Sequence, residues 1–189
     1  MKTIKISFFI IYLSFLFLSC ASFPKADNKH DTMLIGVIIQ QGKNFKIYGS
    51  GSVNGTNKVG IEFSLRSLTS GKIYTMKTWT EGIFHSEKIP EGIYKINRIY
   101  FRKGVGISWI PKDNEYKIEI ISGKVNNLGI IKWESEVNEK NLYVKNTIYF
   151  NRDYEQAKDI FKEQNKSSDW NEKDWIDTKI IKETIKVDQ

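Results

Sequence analysis

The chain has 189 residues, of which 29 are basic and 22 acidic, and it contains one cysteine. A single cysteine excludes an intramolecular disulfide, so the fold must be held by packing alone. The length suffices for one domain with a proper core. The formal net charge is +7, and it is +5 without Lys2 and Lys5. This modest excess suits a position near anionic lipid or anionic cell-wall polymer, and it is also what compositional drift in an Ile-, Lys- and Asn-rich genome would give, which is the simpler interpretation.

The N-terminal segment has the features of a secretory signal. Lys2 and Lys5 precede an apolar run from Ile6 to Leu18, and the small residue Ser19 stands directly before Cys20. As a helix, this 13-residue run would be about 20 Å long, whereas the core of a bilayer is about 30 Å thick. The segment is therefore predicted to be a signal peptide and not a spanning anchor.

The residues Phe17-Leu18-Ser19-Cys20 resemble the lipobox of bacterial lipoproteins. That family prefers Leu three residues before the cysteine, where this chain has Phe17. The resemblance implies that residues 1–19 are removed and that Cys20 carries a diacylglycerol thioether and usually an acylated amino group, such as a palmitate. Several acyl chains would hold the protein firmly in a membrane. An ordinary signal peptide with an incidental cysteine is the alternative.

Residues 20–32 are predicted to be a lipidated tether. The segment from Ala21 to Thr32 is polar, contains Pro24 and has no apolar period, which is typical of a disordered stalk. We expect this stalk to lift the following domain off the membrane. Ala21 after the cysteine favours the outer membrane or the cell surface if the source has two membranes.

Residues 33–150 are predicted to form a β-sandwich domain. Ile61, Phe63 and Leu65 alternate with polar residues, which is the period of a half-buried strand. Roughly eight short strands, separated by Gly, Pro and Asn turn signals, favour a mainly β fold and an antiparallel sandwich. Further alternations or apolar runs lie at 33–39, 73–79, 83–89, 93–101, 116–120, 128–133 and 142–150.

Residues 151–189 are predicted to form a small α-helical C-terminal appendage and a tail. One helical face is apolar, and an acidic residue with a glutamine three positions later has the spacing of a capping pair. A second, shorter helix is expected to start near Ser168, and the tail is compatible with a last strand or a frayed end. The apolar face consists of Tyr154, Ala157 and Phe161. The capping pair is Asp153 and Gln156.

Two turn motifs resemble those of the carboxypeptidase regulatory-like domain, a transthyretin-like β-sandwich. They are Thr80-Glu81-Gly82-Ile83-Phe84 and Ile89-Pro90-Glu91-Gly92-Ile93-Tyr94. Gly82 and Gly92 permit positive φ at tight turns, and Tyr94 can donate a hydrogen bond through its hydroxyl at the sheet edge. The resemblance, over about residues 33–133, implies a transthyretin- or Ig-like sandwich that serves as a folding, spacing or binding module. The alternative is that any β-sandwich contains such turns by chance.

Few residues suggest catalysis or metal binding. The histidines are His30 and His85, and no Cys or acidic partners stand at metal-ligand spacing. His85 is expected at the surface or at a sheet edge. Glu134, Glu136 and Glu139 form the densest acidic group, which would serve glycoside hydrolysis only if a cleft held two of the carboxylates at the right separation. Solvated loop acids are the simpler interpretation, so no catalytic residue, metal or cofactor is predicted.

A basic cluster is one candidate for ligand binding. Arg98 and Arg102 lie with Lys95 and Lys103 on one predicted strand and its turn. In a regular strand, odd-numbered and even-numbered residues face opposite sides of the sheet. Lys95 and Lys103 are therefore predicted on one face and Arg98 and Arg102 on the other, so that no single face holds all four. The cluster is compatible with a phosphate- or glycan-binding patch, and also with an ordinary solvated outer face.

The tryptophans are the other candidates. Trp170 and Trp175 lie in a polar segment, where they are expected either as exposed rings for a glycan or, preferably, as the apolar contact that docks the C-terminal helices onto the sandwich. Trp79, Trp109 and Trp133 lie in apolar runs and are expected in the core.

These features predict a non-enzymatic binding or structural module of the cell envelope, anchored in a membrane through lipid on Cys20. A glycan- or cell-wall-binding protein or adhesin is one alternative, and an envelope glycan hydrolase that uses the acidic group is another. The expected partners are the membrane and, beyond it, cell-wall glycan or another envelope protein. Nucleic acid is not an expected partner outside the cytoplasm.

Overall fold

The structure, a computed structural model, describes most of the chain between Asp31 and Lys182. The described residues are 26, 31–42, 45–48, 52–53, 57–58, 60–87, 89–102, 107–111, 116–137 and 143–182. The predicted signal peptide and Cys20 lie outside these residues, as does the predicted tether apart from Ala26, Asp31 and Thr32. His30, Lys103 and Glu139 lie outside them too.

The described residues form a mainly β fold, as predicted, with one α-helix. The helix α1 spans Tyr154–Gln164, and two 3-10 turns span Thr80–Gly82 and Asp169–Glu172. The strands are β1 (Met33–Gly42), β2 (Phe45–Tyr48), β3 (Ser52–Val53), β4 (Asn57–Lys58), β5 (Gly60–Ser67), β6 (Ile73–Lys77), β7 (Ile83–Glu87), β8 (Gly92–Arg102), β9 (Ile107–Trp109), β10 (Tyr116–Ile120), β11 (Val125–Val137), β12 (Tyr143–Arg152), β13 (Trp175–Asp177) and β14 (Ile180–Lys182).

The strands form two large sheets that pack face to face. The first sheet has the order β12-β11-β1-β2, with β7 also paired to β1 and β13 to β11. The second sheet has the order β14-β10-β8-β5-β6, with β9 also paired to β8, and β3 pairs with β4 separately. Buried side chains from both large sheets belong to one apolar cluster, which is the core of the domain.

The first sheet is mixed, so the predicted antiparallel arrangement holds for most strand pairs but not for all of them. β1 runs parallel to β11, from Met33 opposite Val125 to Gly42 opposite Ser135, and β13 also runs parallel to β11. Alternation along a strand shows which residues face the core, but it says nothing about the direction of the neighbouring strand. β1 is buried on both faces over residues 33–39, which explains its continuous apolar run.

The alternation predicted for β5 is confirmed in the core between the sheets. Ile61, Phe63 and Leu65 are fully buried, and they belong to the same cluster as Leu34 and Ile38 of β1. Burying an apolar side chain of this size stabilises a fold by about 1.5–3 kcal/mol relative to leaving it exposed. Packing of this kind is therefore sufficient to hold the two sheets together.

The helix α1 covers the outer face of the first sheet. Ala157 and Phe161 are buried in a second apolar cluster with residues of β1, so the predicted apolar helical face is confirmed. The predicted capping pair is wrong, because the Asp153 side chain makes no capping hydrogen bond. Asp153 has a φ of 47°, in the left-handed region, and that backbone turns the chain from β12 into the helix.

The C-terminal segment contributes a strand to each sheet. The expected second helix is only the 3-10 turn Asp169–Glu172, in which the Ser168 hydroxyl accepts a hydrogen bond from the Trp170 N–H at 3.4 Å. β13 then joins the first sheet, and β14 pairs antiparallel with β10 in the second sheet. Up to Lys182, the tail is therefore a last strand.

The turn that leads into β8 has the hydrogen bond that the sequence motif implies. Gly82 and Gly92 both have positive φ, of 76° and 139°. The Tyr94 ring is buried, and its hydroxyl donates a hydrogen bond to the Pro90 carbonyl at 2.7 Å. Burial raises the pKa of Tyr94 to about 12, because a phenolate at this position would lose its contact with water.

Tyr94→Phe is expected to lower the free energy of unfolding by about 1 kcal/mol at neutral pH, because the Pro90 carbonyl loses its donor. The effect shrinks at high pH. The unfolded phenol titrates near pH 10 and the folded one near pH 12, so the stability that the neutral phenol contributes is complete below about pH 10 and is lost as the pH rises towards 12.

Urea unfolding near neutral pH and at about pH 11 tests this prediction. The wild type should lose more stability between the two conditions than Tyr94→Phe does. A Tyr100→Phe variant, which removes a hydroxyl from the same strand, should lose as much as the wild type. Identical losses in the wild type and Tyr94→Phe would contradict the prediction.

Candidate functional site

The chain enters the domain at one end of the first sheet. Met33, the first residue of β1, lies opposite Val125 at the start of β11 and opposite Glu87 at the end of β7. The Thr32 hydroxyl accepts a hydrogen bond from the Gly123 N–H at 2.9 Å, which ties the preceding chain to the turn between β10 and β11. We call this the Met33 end of the molecule, and the chain that follows Cys20 arrives here.

Strands of the second sheet also begin or end at the Met33 end. Four residues, Ile121–Lys124, connect the end of β10 to the start of β11. Ile120 at the end of β10 lies opposite Gly92 at the start of β8, and Ser67 at the end of β5 lies opposite Tyr94. The turn at residues 121–124 therefore joins the two sheets at this end of the molecule.

Three basic residues form a row across the outer face of the second sheet. Lys117 of β10 lies opposite Lys95 of β8, and Lys95 lies opposite Arg66 of β5. Exposed Ile181 of β14 continues the row beyond Lys117, and exposed Ile73 of β6 continues it beyond Arg66. Their neighbours along β5, β8 and β10 are buried, apart from the half-buried Tyr116, which places all three basic residues on the outer face. We call Arg66, Lys95 and Lys117 the basic row.

Three exposed apolar residues lie between the basic row and the tip of the Met33 end. The exposed fractions of Leu68, Ile93 and Ile121 are 42%, 48% and 47%. The Leu68 N–H donates a hydrogen bond to the Ile93 carbonyl at 2.9 Å, so these two residues are adjacent, and Ile121 directly follows β10. We call these three residues the apolar rim. An acidic residue, Glu119, lies opposite Ile93 on the same face.

The composition of this face is suited to binding. Basic residues opposite each other on neighbouring strands do not stabilise a sheet by pairing with one another, and an apolar side chain that is about half exposed contributes only part of its burial energy. Lysine and arginine placed side by side are, however, good ligands for phosphate groups. Sequence reasoning missed the basic row because its members lie on three strands, and the register that aligns them cannot be read from spacing along the chain.

The outer face also holds Arg98, because a β-bulge in β8 shifts the alternation. The register between β5 and β8 changes between Ser64 and Leu65, so Asn97 is an extra residue in β8. Lys95 before the bulge and Arg98 after it therefore lie on the same face. Strict alternation would place these two residues on opposite faces, and the bulge reverses that. The prediction that no single face holds all four basic residues stays a prediction, because Lys103 lies outside the described residues.

The two arginines predicted to bind a ligand lie towards the other end of β8. The Arg98 guanidinium is 3.7 Å from the Glu62 carboxylate and 5.1 Å from the centre of the Tyr100 ring. Arg102 lies opposite Gly60 in the ladder with β5, and its side chain is outside the described residues. Arg98 thus already has an acidic partner within the protein.

The two tryptophans predicted to bind a ligand lie on the opposite side of the molecule. Trp170 is only 1% exposed and belongs to the cluster that joins α1 to the first sheet. The half-buried Trp175 donates a hydrogen bond from its indole N–H to the Trp170 carbonyl at 3.1 Å, and its ring lies 5.4 Å from that of Phe161. Through these contacts, the two tryptophans dock the C-terminal segment onto the first sheet. The structure does not bring the tryptophans and arginines together, and ligand binding by any of them stays a prediction.

The other three tryptophans differ in their surroundings. Trp133 is fully buried, and Trp109 is half-buried against Tyr116 and Phe150, at ring distances of 5.6 and 5.8 Å. Trp79 is 46% exposed, so the expectation of a core position is wrong for this residue. β6 ends at Lys77, and Trp79 therefore lies in the connection to β7, not within the sheet.

The described part of the acidic group does not have the properties of a general acid. The Glu134 carboxylate accepts a hydrogen bond from the Lys132 ammonium at 2.6 Å, and that bond holds the pKa of Glu134 below its usual range. A general acid of a glycosidase needs a raised pKa instead. The Glu136 side chain and Glu139 lie outside the described residues.

His85 lies on β7, which pairs with β1 in the first sheet. Its ring is only 7% exposed, contacts the Glu87 carboxylate through Nδ1 and lies 5.4 Å from the Trp79 ring. Among the described residues, no three His, Cys, Asp or Glu side chains are grouped so that they could hold a metal ion.

No helix in the described ranges is long and apolar enough to cross a membrane. No family model matches the chain, and no curated protein or solved structure matches it.

Proposed function

We propose that this chain is a lipid-anchored protein of a bacterial cell envelope, held in the membrane through Cys20. The observation that carries the proposal is the position of the only cysteine, which follows a basic start, a 13-residue apolar run and the small residue Ser19. The body of the protein serves as a non-enzymatic binding or structural module. Its expected partners are the membrane and another component of the envelope.

The connection between Cys20 and the domain supports this proposal. Twelve residues separate Cys20 from Met33, and a chain of that length spans at most about 40 Å. Asp31 and Thr32 are buried as β1 is, and Ala26 packs against the apolar cluster beneath α1, so the folded body already includes part of this segment. A lipid on Cys20 would therefore keep the Met33 end close to the membrane.

We propose further that the two packed sheets are a transthyretin-like sandwich. The hydrogen bond from the Tyr94 hydroxyl to the Pro90 carbonyl and the positive φ of Gly82 and Gly92 support this, because the family's turn motifs imply them. The parallel pairing of β1 with β11 is a departure from a purely antiparallel sandwich. In the family that the turn motifs resemble, such domains serve folding, spacing or binding, and the proposal therefore includes no reaction.

Cys20→Ser tests the lipid anchor, because a hydroxyl cannot form the thioether while the side chain keeps nearly the same size. We expect the wild type to incorporate labelled palmitate, to begin at residue 20 and to sediment with membranes. The Cys20→Ser variant should incorporate no label and should lose the cut before residue 20. The N-terminus and the attached mass can be read by mass spectrometry of the purified protein.

Ala21→Ser is a matched control that makes a similar change one position away. It should be processed, labelled and sedimented as the wild type is. If Cys20→Ser matured at the same position and remained in the membrane fraction, the proposal would be wrong.

A further inference from the structure

We propose that the Met33 end lies against an anionic lipid bilayer, with the basic row at the phosphate headgroups and the apolar rim at the lipid–water boundary. The inference rests on the proposed lipid anchor. It adds the orientation of the domain on the membrane and the class of lipid that the domain prefers.

The position of the chain supports this orientation. Ala26 of the segment after Cys20 packs against the apolar cluster beneath α1, and the segment reaches the Met33 end at Thr32, which is hydrogen-bonded to Gly123 in the turn that also contains Ile121. An acylated Cys20 would hold this end of the molecule near the bilayer at a high effective concentration, and even weak contacts of the domain with lipid would then be populated.

The distance between the apolar rim and the basic row matches the depth of a membrane interface. Lys95 lies two residues beyond Ile93 along β8, which is about 7 Å further from the tip. Apolar side chains of interfacial proteins are buried about 5–10 Å into the boundary between headgroups and acyl chains. When the apolar rim reaches that boundary, the basic row therefore lies at the level of the phosphates.

The charge of the face favours anionic lipid. Each lysine or arginine near an anionic membrane surface strengthens binding about fivefold, so the three residues of the basic row together contribute on the order of 100-fold. Glu119 lies opposite Ile93 and opposes this attraction. Removing the negative charge of Glu119 should strengthen binding several-fold, whereas removing a basic residue should weaken it.

The apolar rim argues for a bilayer over an anionic polymer of the cell wall. A hydrated polyanion would bind the basic row, but it offers no apolar phase for Leu68, Ile93 and Ile121. A bilayer interface takes up basic and apolar side chains together. Lipid is therefore the proposed ligand, and binding to a polymer is the contrary result that the experiment can reveal.

The experiment uses the lipidated protein, placed in vesicles of phosphatidylcholine with or without phosphatidylglycerol. An environment-sensitive fluorophore is attached at Ile93→Cys, which is possible because Cys20 is blocked by lipid. A separate protein carries the fluorophore at Glu155→Cys, an exposed position at the start of α1, on the outer face of the first sheet and away from the Met33 end. We expect a blue shift and quenching by lipid-borne quenchers at residue 93 in anionic vesicles, and at residue 155 in neither kind.

Charge variants with matched controls test the role of the basic row. Changing Arg66, Lys95 and Lys117 together to Gln should reduce the ratio of lipid-contacting to water-exposed reporter on the order of 100-fold. Changing Lys158 and Lys162 of α1 and Lys166 in the turn after it to Gln alters the net charge equally and should leave the signal unchanged. Glu119→Gln should strengthen the contact.

The outcomes that would overturn the inference are distinct from those that bear on the anchor. A protein that carries acyl chains but keeps the residue 93 reporter in water, or shows equal contact in neutral vesicles, overturns the inference and leaves the anchor standing. A reporter that responds to soluble polyphosphate and not to vesicles overturns it in favour of a polymer. A chain without acyl groups overturns both.

Discussion

Gly129→Ala is expected to lower the free energy of unfolding by roughly 3 kcal/mol or more, although it adds a single methyl group. Gly129 has a φ of 68°, which costs energy for any residue with a Cβ atom. A Cβ atom here would also collide with the Arg152 carbonyl oxygen and would lie 3.1 Å from the Tyr154 ring. The colliding oxygen belongs to the backbone, so rotating a side chain cannot relieve the overlap.

Gly60→Ala is the matched control for this prediction. A Cβ atom on Gly60 would meet no atom within 4 Å, and its φ is not in the left-handed region. This variant should change the free energy of unfolding by less than about 1 kcal/mol, and it lies in a strand of the other sheet. Urea unfolding followed by tryptophan fluorescence measures both variants. Equal stabilities for Gly129→Ala and Gly60→Ala would show that the backbone at Gly129 is not restricted as described.

Gly129 also shows why part of the fold could not be predicted. Ile35 of β1 lies opposite Asn127 and Val37 lies opposite Ile130, so β11 contains one more residue than β1 over this stretch. Because of this bulge, Leu128 and Ile131 face the same core although they are three residues apart. A strict period of two is therefore absent from β11. The sequence marks the place only with a glycine, which is compatible with many turns.

The elements that were predicted correctly share a physical property, which is that their pattern is local. β5 and β10 each have one face in the core and one in solvent, and α1 has a single buried stripe, so the period of each is visible in a few residues. The parallel pairing of β1 with β11 depends on residues about 90 positions apart. Spacing along the chain contains no information about such a pair.

The candidate site could be predicted only in its composition. Arg66, Lys95 and Lys117 are separated by more than 20 residues along the chain, and only the register of three strands aligns them. The bulge at Asn97 places Arg98 on the same face as Lys95, whereas regular alternation would place it on the opposite face. A site built across a sheet therefore becomes visible only once strand order, register and bulges are known.

Trp133→Ala is expected to lower the free energy of unfolding by about 3–5 kcal/mol, the usual cost of truncating a large buried aromatic side chain. Trp133 is fully buried in the core between the sheets, on a strand with neighbours on both sides, opposite Gln40 of β1 and Ile148 of β12. Strands paired on both sides cannot easily close the cavity that is left. For a domain of this size, the melting temperature should fall by roughly 10 °C.

Trp79→Ala is the matched control, because it makes the same truncation where the ring is 46% exposed. The main-chain hydrogen bonds of Trp79 with Ile83 and Gly82 do not depend on its side chain, so they survive the substitution. We expect a loss below about 1 kcal/mol, chiefly from the contact with His85. Thermal and urea unfolding of both variants measure the difference. If the two substitutions cost the same, Trp133 would not fill the space between the sheets, and the packing that joins the sheets would have to lie elsewhere.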